Sequence, residues 1–75
     1  MSTTVIDTKG LNCPLPILRA KKAIKDVPVG GILQVLATDP GAVKDFEAFC
    51  RSTGNQLVDW KEEAGVFTFN IRKAA

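Results

Sequence analysis

The chain has 75 residues, of which 45% are hydrophobic, and ten basic and eight acidic side chains give it a formal net charge of +2. A chain of this size predicts a single domain, residues 1–75, and the even charge balance argues against direct nucleic-acid binding. The absence of histidine and the presence of only two cysteines exclude a His-assisted nucleophile, a usual zinc site and a disulfide scaffold. The sequence has no signal-peptide pattern and no apolar run of membrane-spanning length, so we expect a cytoplasmic protein that does not associate with membranes.

The first predicted elements are a strand over residues 5–8 and a helix that runs from Pro14 to about Asp26. Proline fits the first helical turn because its missing N–H would have no intrahelical partner there. We therefore expect Pro14 at N1, Pro16 at N3 and Cys13 as the N-cap residue. The free amides and the positive end of the helix dipole would then lie near the sulfur, and this environment predicts a Cys13 pKa below the ordinary value of about 8.5.

Two further residues belong to this helix start. Gly10 permits the tight turn that presents Cys13, and Asn12 is a residue type that commonly caps helices. The residues alone also allow Cys13 to be a small, inert core residue at a strand–helix junction. The sequence around Cys13 therefore indicates either a reactive thiol or a buried one.

Helical periodicity divides the first helix into two faces. The predicted buried stripe consists of Ile17, Ala20, Ile24 and Val27. Projection at about 100° per residue places two leucines on the opposite, basic face. This face predicts a docking surface for a partner, and the alternative is an ordinary solvated face. Its candidate partner-binding residues are Leu15, Leu18, Arg19, Lys21 and Lys22, with Lys25 adding charge.

The middle of the chain predicts a second strand and a second helix. The nearly continuous apolar run over residues 32–37 is typical of a central strand flanked on both sides. Asp39 is predicted as the N-cap of the following helix, with Pro40 at N1 and an end near residues 53–55. Cys50 shares a helical face with Val43, Phe46 and Phe49, so it is predicted to be a core cysteine.

The last predicted elements form a hairpin of strands 56–61 and 66–72, joined by a four-residue loop over residues 62–65. The order β-α-β-α-β-β predicts an α/β two-layer sandwich: a mixed four-stranded sheet with both helices on one face. The first two strands point the same way, so Cys13 and Asp39 should lie along one edge of the sheet. Asp39 could remain a plain cap, or it could also affect chemistry or partner contact at Cys13.

The sequence resembles the TusA (SirA-like) family of small sulfur-carrier proteins. The likeness rests on residues 7–16, on residues 36–42 and on Phe49-Cys50, and the Gly-Leu-x-Cys-Pro-x-Pro element after a short first strand is its most specific part. The resemblance implies that Cys13 carries sulfane sulfur as a persulfide and needs no other cofactor and no metal. It also implies protein partners: a cysteine desulfurase or rhodanese-like donor, and an acceptor in tRNA thiolation, molybdenum-cofactor assembly or dissimilatory sulfur oxidation.

Two other functions are compatible with the residues. Cys13 and Cys50 could form a dithiol redox pair, although Cys50 is predicted to be buried. The cations of the first helix could make the protein a small RNA-binding or regulatory module, but the aromatic residues lie at core spacing rather than on an exposed platform. A sulfurtransferase that acts as a monomer is the function that the sequence favours.

Overall fold

The computed structural model describes residues 3–74. The elements are β1 (Thr3–Thr8), α1 (Leu15–Ile24), β2 (Ile32–Ala37), α2 (Ala42–Thr53), β3 (Gln56–Glu63) and β4 (Val66–Arg72). The sheet has the strand order β1-β2-β4-β3. Strand β1 is parallel to β2, whereas β4 is antiparallel to both of its neighbours. This arrangement confirms the predicted two-layer sandwich with a mixed four-stranded sheet, and β2 is a central strand.

The core lies between the helices and one face of the sheet. Alternate residues of β2 and β4 are fully buried there, and the Phe46 ring of α2 stacks on Phe69 of β4 with ring centroids 4.6 Å apart. Side chains on the other face are half-buried or exposed, and this face carries a polar pair in which Gln34 donates to Asn70 over 3.0 Å. The sheet thus has one covered face and one open face, which suits the alternation of apolar Phe67, Phe69 and Ile71 with polar residues along β4. No helix within residues 3–74 is long and apolar enough to span a membrane.

Helix α1 begins one residue later than predicted. Pro14 is its N-cap, with φ −99° and ψ 18°, and Pro16 occupies the second helical position. The reason is visible in the hydrogen bonds: the Leu18 N–H donates to the Pro14 carbonyl over 3.1 Å, which makes Pro14 the first acceptor of the helix. The predictions of Cys13 as N-cap, Pro14 at N1 and Pro16 at N3 are therefore wrong. Cys13 precedes the cap and is joined to Pro14 by a cis peptide bond.

Helix α2 also has a different start. Its N-cap is Gly41, so Asp39 is not the N-cap and Pro40 is not at N1. Asp39 still serves this helix start, because its Oδ1 accepts the Gly41 N–H over 3.1 Å. The predicted end is confirmed, since Gly54 closes the helix in the left-handed conformation at φ +80°.

The hairpin turn is shorter than predicted. Strand β3 continues to Glu63 and β4 begins at Val66, so the predicted four-residue loop is a two-residue turn of Ala64 and Gly65. Both turn residues have positive φ, 51° and 82°, which suits the right-handed twist of the paired strands. The side chain of Glu62 accepts the Gly65 N–H over 2.8 Å and helps to hold the turn.

Candidate functional site

Cys13 lies in the loop between β1 and α1, and its side chain is exposed. Because β1 and β2 are parallel, the loops that follow them meet at one edge of the sheet. The Cys13 N–H donates to Asp39 Oδ2 over 2.7 Å, and the Gly10 N–H donates to Thr38 Oγ1 over 2.9 Å. The structure thus confirms that Cys13 and Asp39 lie along one edge, and it shows that Cys13 is not a buried core residue.

The other predicted members of the motif have backbone roles. Gly10 has φ +84°, a conformation that favours glycine, so it makes the turn that was expected of it. The Asn12 carbonyl accepts the Leu15 N–H over 2.8 Å. Pro14 is exposed beside the thiol, whereas Pro16 is buried and anchors the start of α1.

Asp45 is a site residue that the sequence reasoning missed. Its carboxylate, that of Asp39 and the Cys13 sulfur each offer an atom within 4.8 Å of the other two. Asp45 belongs to the first turn of α2, and both of these acidic side chains are half-buried. A sequence signal for Asp45 was present. The second helix was expected to begin on the same sheet edge as Cys13, and Asp45 is an acidic residue in the first turn of that helix.

The two carboxylates reverse the predicted electrostatics of the thiol. A hydrogen bond to the Asp45 carboxylate is the largest influence that raises the pKa of Cys13, followed by desolvation and by the negative charges of Asp45 and Asp39. The prediction of a lowered pKa is therefore wrong. It assumed that Cys13 caps α1 without an acidic neighbour, and neither assumption holds. These acidic neighbours favour the thiol form of Cys13 over its thiolate.

The same three side chains are the only group of possible metal ligands within residues 3–74. A thiolate and two carboxylates could contact one cation. They fall one ligand short of a closed structural zinc site, and their set differs from the Cys and His combinations typical of such sites. The arrangement by itself therefore identifies no particular metal.

A surface groove between α1 and α2 begins at Cys13. It has a volume of about 350 Å³, and we call it the Cys13 groove. Its floor is apolar, Lys21 contributes to one wall, and Asp45 lies in the other wall. The lining residues are Cys13, Pro14, Ile17, Lys21, Asp45, Ala48, Phe49 and Ser52. The groove leaves room beside the thiol for a reacting group from another molecule.

Comparison with known proteins identifies the family. The family profile described as Sulfurtransferase TusA matches residues 4–73. The chain belongs to the TusA family. It is 58% identical to the sulfur carrier protein TusA of Allochromatium vinosum over 69 residues, which cover 92% of this chain and 91% of the relative. It is 42% identical to the sulfur carrier protein TusA of Pseudomonas aeruginosa over 71 residues, which cover 95% and 90% of the two chains.

A solved structure agrees with this assignment. The SirA-like protein of Desulfitobacterium hafniense superposes with a TM-score of 0.82 at 27% identity, and the match covers 96% of this chain and 99% of that one. The predicted resemblance to the TusA family is therefore confirmed. Family membership supports a general role in carrying sulfur, with proteins as the partners that give and take it.

The predicted partner-binding leucines and cations of this TusA-family protein lie on α1, where Lys22 lines two cavities and so connects their residues. Leu15 is 44% exposed and Leu18 is 52% exposed. A second cavity next to the Cys13 groove is lined by Leu18, Lys21 and Lys22, whereas Arg19 lines a cavity on the side of β1. Within residues 3–74 no cation of α1 forms an ion pair, so their charge remains available to an acidic partner.

The second cysteine has the environment predicted for it. Cys50 lies on α2 and packs in the hydrophobic core, where its side chain is only 6% exposed. Burial raises the pKa of its thiol. Both cysteines are free. A buried, protonated thiol is a poor nucleophile, so the structure offers the dithiol alternative no support.

Proposed function

We propose that this TusA-family protein is a sulfurtransferase that holds sulfane sulfur as a persulfide on Cys13. The observation that carries the proposal is the position of Cys13, which is the exposed thiol of the chain and opens into the Cys13 groove. Its motif is also the part of the sequence most specific to the family. The second thiol, Cys50, is buried and cannot meet a partner protein directly.

The chemistry is an exchange of one sulfur–sulfur bond for another. The Cys13 sulfur attacks the sulfane sulfur of a donor persulfide, the S–S bond of the donor breaks, and the donor sulfur leaves as a thiol. Cys13 then carries the sulfane sulfur, and a thiolate of the acceptor removes it in a second exchange of the same kind. No electrons are gained or lost overall, so the covalently bound sulfur is the only group that the proposal requires.

The partners in this proposal are two proteins. A cysteine desulfurase or a rhodanese-like protein supplies the sulfur, and the acceptor belongs to tRNA thiolation, molybdenum-cofactor assembly or dissimilatory sulfur oxidation. We propose that the carrier acts as a monomer in the cytoplasm. The exposed thiol supports the proposal, because the same sulfur has to meet both partners in turn.

The basic face of α1 is the proposed contact surface for these partners. Leu18 supplies exposed apolar area, and Lys21 and Lys22 supply positive charge next to the Cys13 groove. Attraction between this charge and an acidic partner should raise the rate of encounter. Asp39, which is also a candidate for partner contact, is half-buried, and its carboxylate accepts the N–H groups of Cys13 and Gly41. Its contact with a partner stays a prediction.

Charge reversal tests this surface. The double variant Lys21→Glu/Lys22→Glu should slow sulfur transfer from a desulfurase, and the defect should shrink as salt screens the charges. Leu18→Ala should weaken transfer without that salt dependence. The matched control is Lys61→Glu/Arg72→Glu, which reverses two charges on the open face of the sheet. Equal defects in the two double variants would assign the effect to net charge rather than to the face of α1.

Mass spectrometry tests the central proposal. After incubation with a cysteine desulfurase and cysteine, the intact protein should gain one sulfur atom, and peptide mapping should place it on Cys13. Cys50→Ala should load equally well, although lost packing should destabilise it by about 1 kcal/mol. Loading that requires Cys50 in a folded protein would favour the dithiol function. A protein that gains no sulfur at Cys13 would overturn the proposal.

A further inference from the structure

The Asp45 carboxylate lies within 4.8 Å of the Cys13 sulfur and is held on the first turn of α2, where the helix dipole favours a negative charge. Within residues 3–74 it forms no ion pair. We propose that Asp45 is a catalytic residue that accepts the proton of Cys13 when sulfur arrives and supplies a proton to Cys13 when sulfur leaves. This inference rests on the proposed function of Cys13.

Asp39 differs from Asp45 although both carboxylates lie near the sulfur. Asp39 Oδ2 accepts the Cys13 N–H over 2.7 Å, and its Oδ1 accepts the Gly41 N–H over 3.1 Å. Both of its oxygens are therefore engaged in holding the two loops. Asp45 is left as the acidic group that is free to exchange a proton with the thiol.

The position of Asp45 also suits this role. It is held on the first turn of α2 and forms one wall of the Cys13 groove, so a donor group entering the groove would meet both Cys13 and Asp45. Lys21 on α1 is the cation that lines the same groove. The charged groups that face the thiol from the packed elements are thus Asp39, Asp45 and Lys21.

The proton balance of the exchange requires such a group. The carboxylate neighbours of Cys13 raise its pKa and so favour its thiol form. When its sulfur attacks the donor persulfide, the thiol proton must leave, and the departing donor thiolate must gain a proton. Asp45 can take the first proton and pass it to the donor thiolate. In the second exchange the acceptor thiol gives up its proton as it becomes the attacking thiolate and Cys13 is the leaving group, so Asp45 can take the proton of the acceptor and pass it to the Cys13 sulfur.

Two reactions of Cys13 distinguish proton transfer by Asp45 from a purely electrostatic effect of its charge on the thiol. Iodoacetamide reacts with the thiolate, so its rate reports the ionised fraction of Cys13. Glutathione persulfide is a small donor whose loading reaction includes the proton transfer. Asp45→Asn should lower the pKa of Cys13 and speed alkylation near neutral pH. The same variant should slow loading by about a hundredfold, the lower end of what a positioned acid or base contributes.

Two further variants complete the test. Glu47→Gln removes an equal charge from an exposed position of the same helix and should leave both rates unchanged. Asp45→Glu retains a carboxylate and should recover part of the loading rate. If Asp45→Asn speeds both reactions, Asp45 only suppresses the thiolate and the proposal is overturned. Equal slowing of both would show a displaced Cys13 and would overturn it too.

The failure of this inference can be told apart from the failure of the proposed function. Sulfur on Cys13 of the wild-type protein, detected by mass, establishes loading whatever the Asp45 variants do. If the wild-type protein loads and Asp45→Asn loads at the same rate, only the inference about Asp45 is overturned. If the wild-type protein gains no sulfur on Cys13, the proposed function is overturned and Asp45 has no transfer step to assist.

Discussion

The two strand-to-helix loops meet at one edge of the sheet but perform different tasks. The β1–α1 loop presents the thiol and donates two backbone N–H groups, those of Gly10 and Cys13. The β2–α2 loop receives them on the side chains of Thr38 and Asp39. The first loop therefore carries the exposed thiol, and the second loop supplies the side chains that hold the first loop in place.

This difference shows how the site can be both exposed and positioned. The Cys13 side chain takes no part in the hydrogen bonds between the loops, since only its backbone N–H is used. Asp39 holds both loops at once, because its two oxygens accept N–H groups from Cys13 and from Gly41 of its own loop. We therefore expect substitutions in the first loop to affect chemistry, and substitutions in the second loop to affect stability.

The largest expected effect comes from the first loop. Cys13→Ser should abolish sulfur loading, since serine cannot form a persulfide. Its free energy of unfolding should change by no more than about 0.5 kcal/mol, because the side chain is exposed and the backbone N–H is retained. Mass spectrometry and chemical denaturation would measure the two quantities. A strongly destabilised Cys13→Ser would show that the thiol also supports the fold and would break the distinction between the loops.

The next effect comes from the second loop. Asp39→Ala removes the acceptor for two backbone N–H groups and should lower the free energy of unfolding by about 1–2 kcal/mol, as loss of a capping side chain does. It should also lower the pKa of Cys13, because the charge of Asp39 helps to raise it. Asp39→Asn keeps one side-chain oxygen and should lie between the wild type and Asp39→Ala. Unchanged stability in both variants would contradict the holding role.

The elements of the fold were predictable because each one has a local signature. The apolar run of β2 was located at its true limits, residues 32–37, and the parallel direction of β1 and β2 predicted the edge where Cys13 meets Asp39. Hydrophobic spacing also predicted that Leu18 is exposed and that Cys50 is buried. These features depend on hydrophobic periodicity and on the direction of the strands, and both can be inferred from the sequence alone.

The helix starts and the electrostatics of the thiol were not predictable in the same way. Two prolines near Cys13 indicated the beginning of α1 but not which residue supplies its first carbonyl acceptor, and that residue is Pro14. The pKa of Cys13 depends mainly on Asp45, which is distant in sequence and comes close only when α2 packs beside α1. The prediction considered only the dipole of α1, so it took no account of the Asp45 carboxylate on α2.

The smallest expected effect isolates the hydrogen bond between Thr38 and Gly10. Thr38→Val keeps the shape of the side chain but removes the oxygen that accepts the Gly10 N–H over 2.9 Å. Because Gly10 is exposed and water can replace the lost acceptor, the free energy of unfolding should fall by only about 0.5–1 kcal/mol. Thr38→Ser retains the hydroxyl and should retain most of this stability. Alkylation of Cys13 should show the same pH midpoint in both variants, since Thr38 carries no charge. Equal losses in Thr38→Val and Thr38→Ser would assign the effect to the threonine methyl group, and Asp39 would then be the residue through which the second loop holds the first.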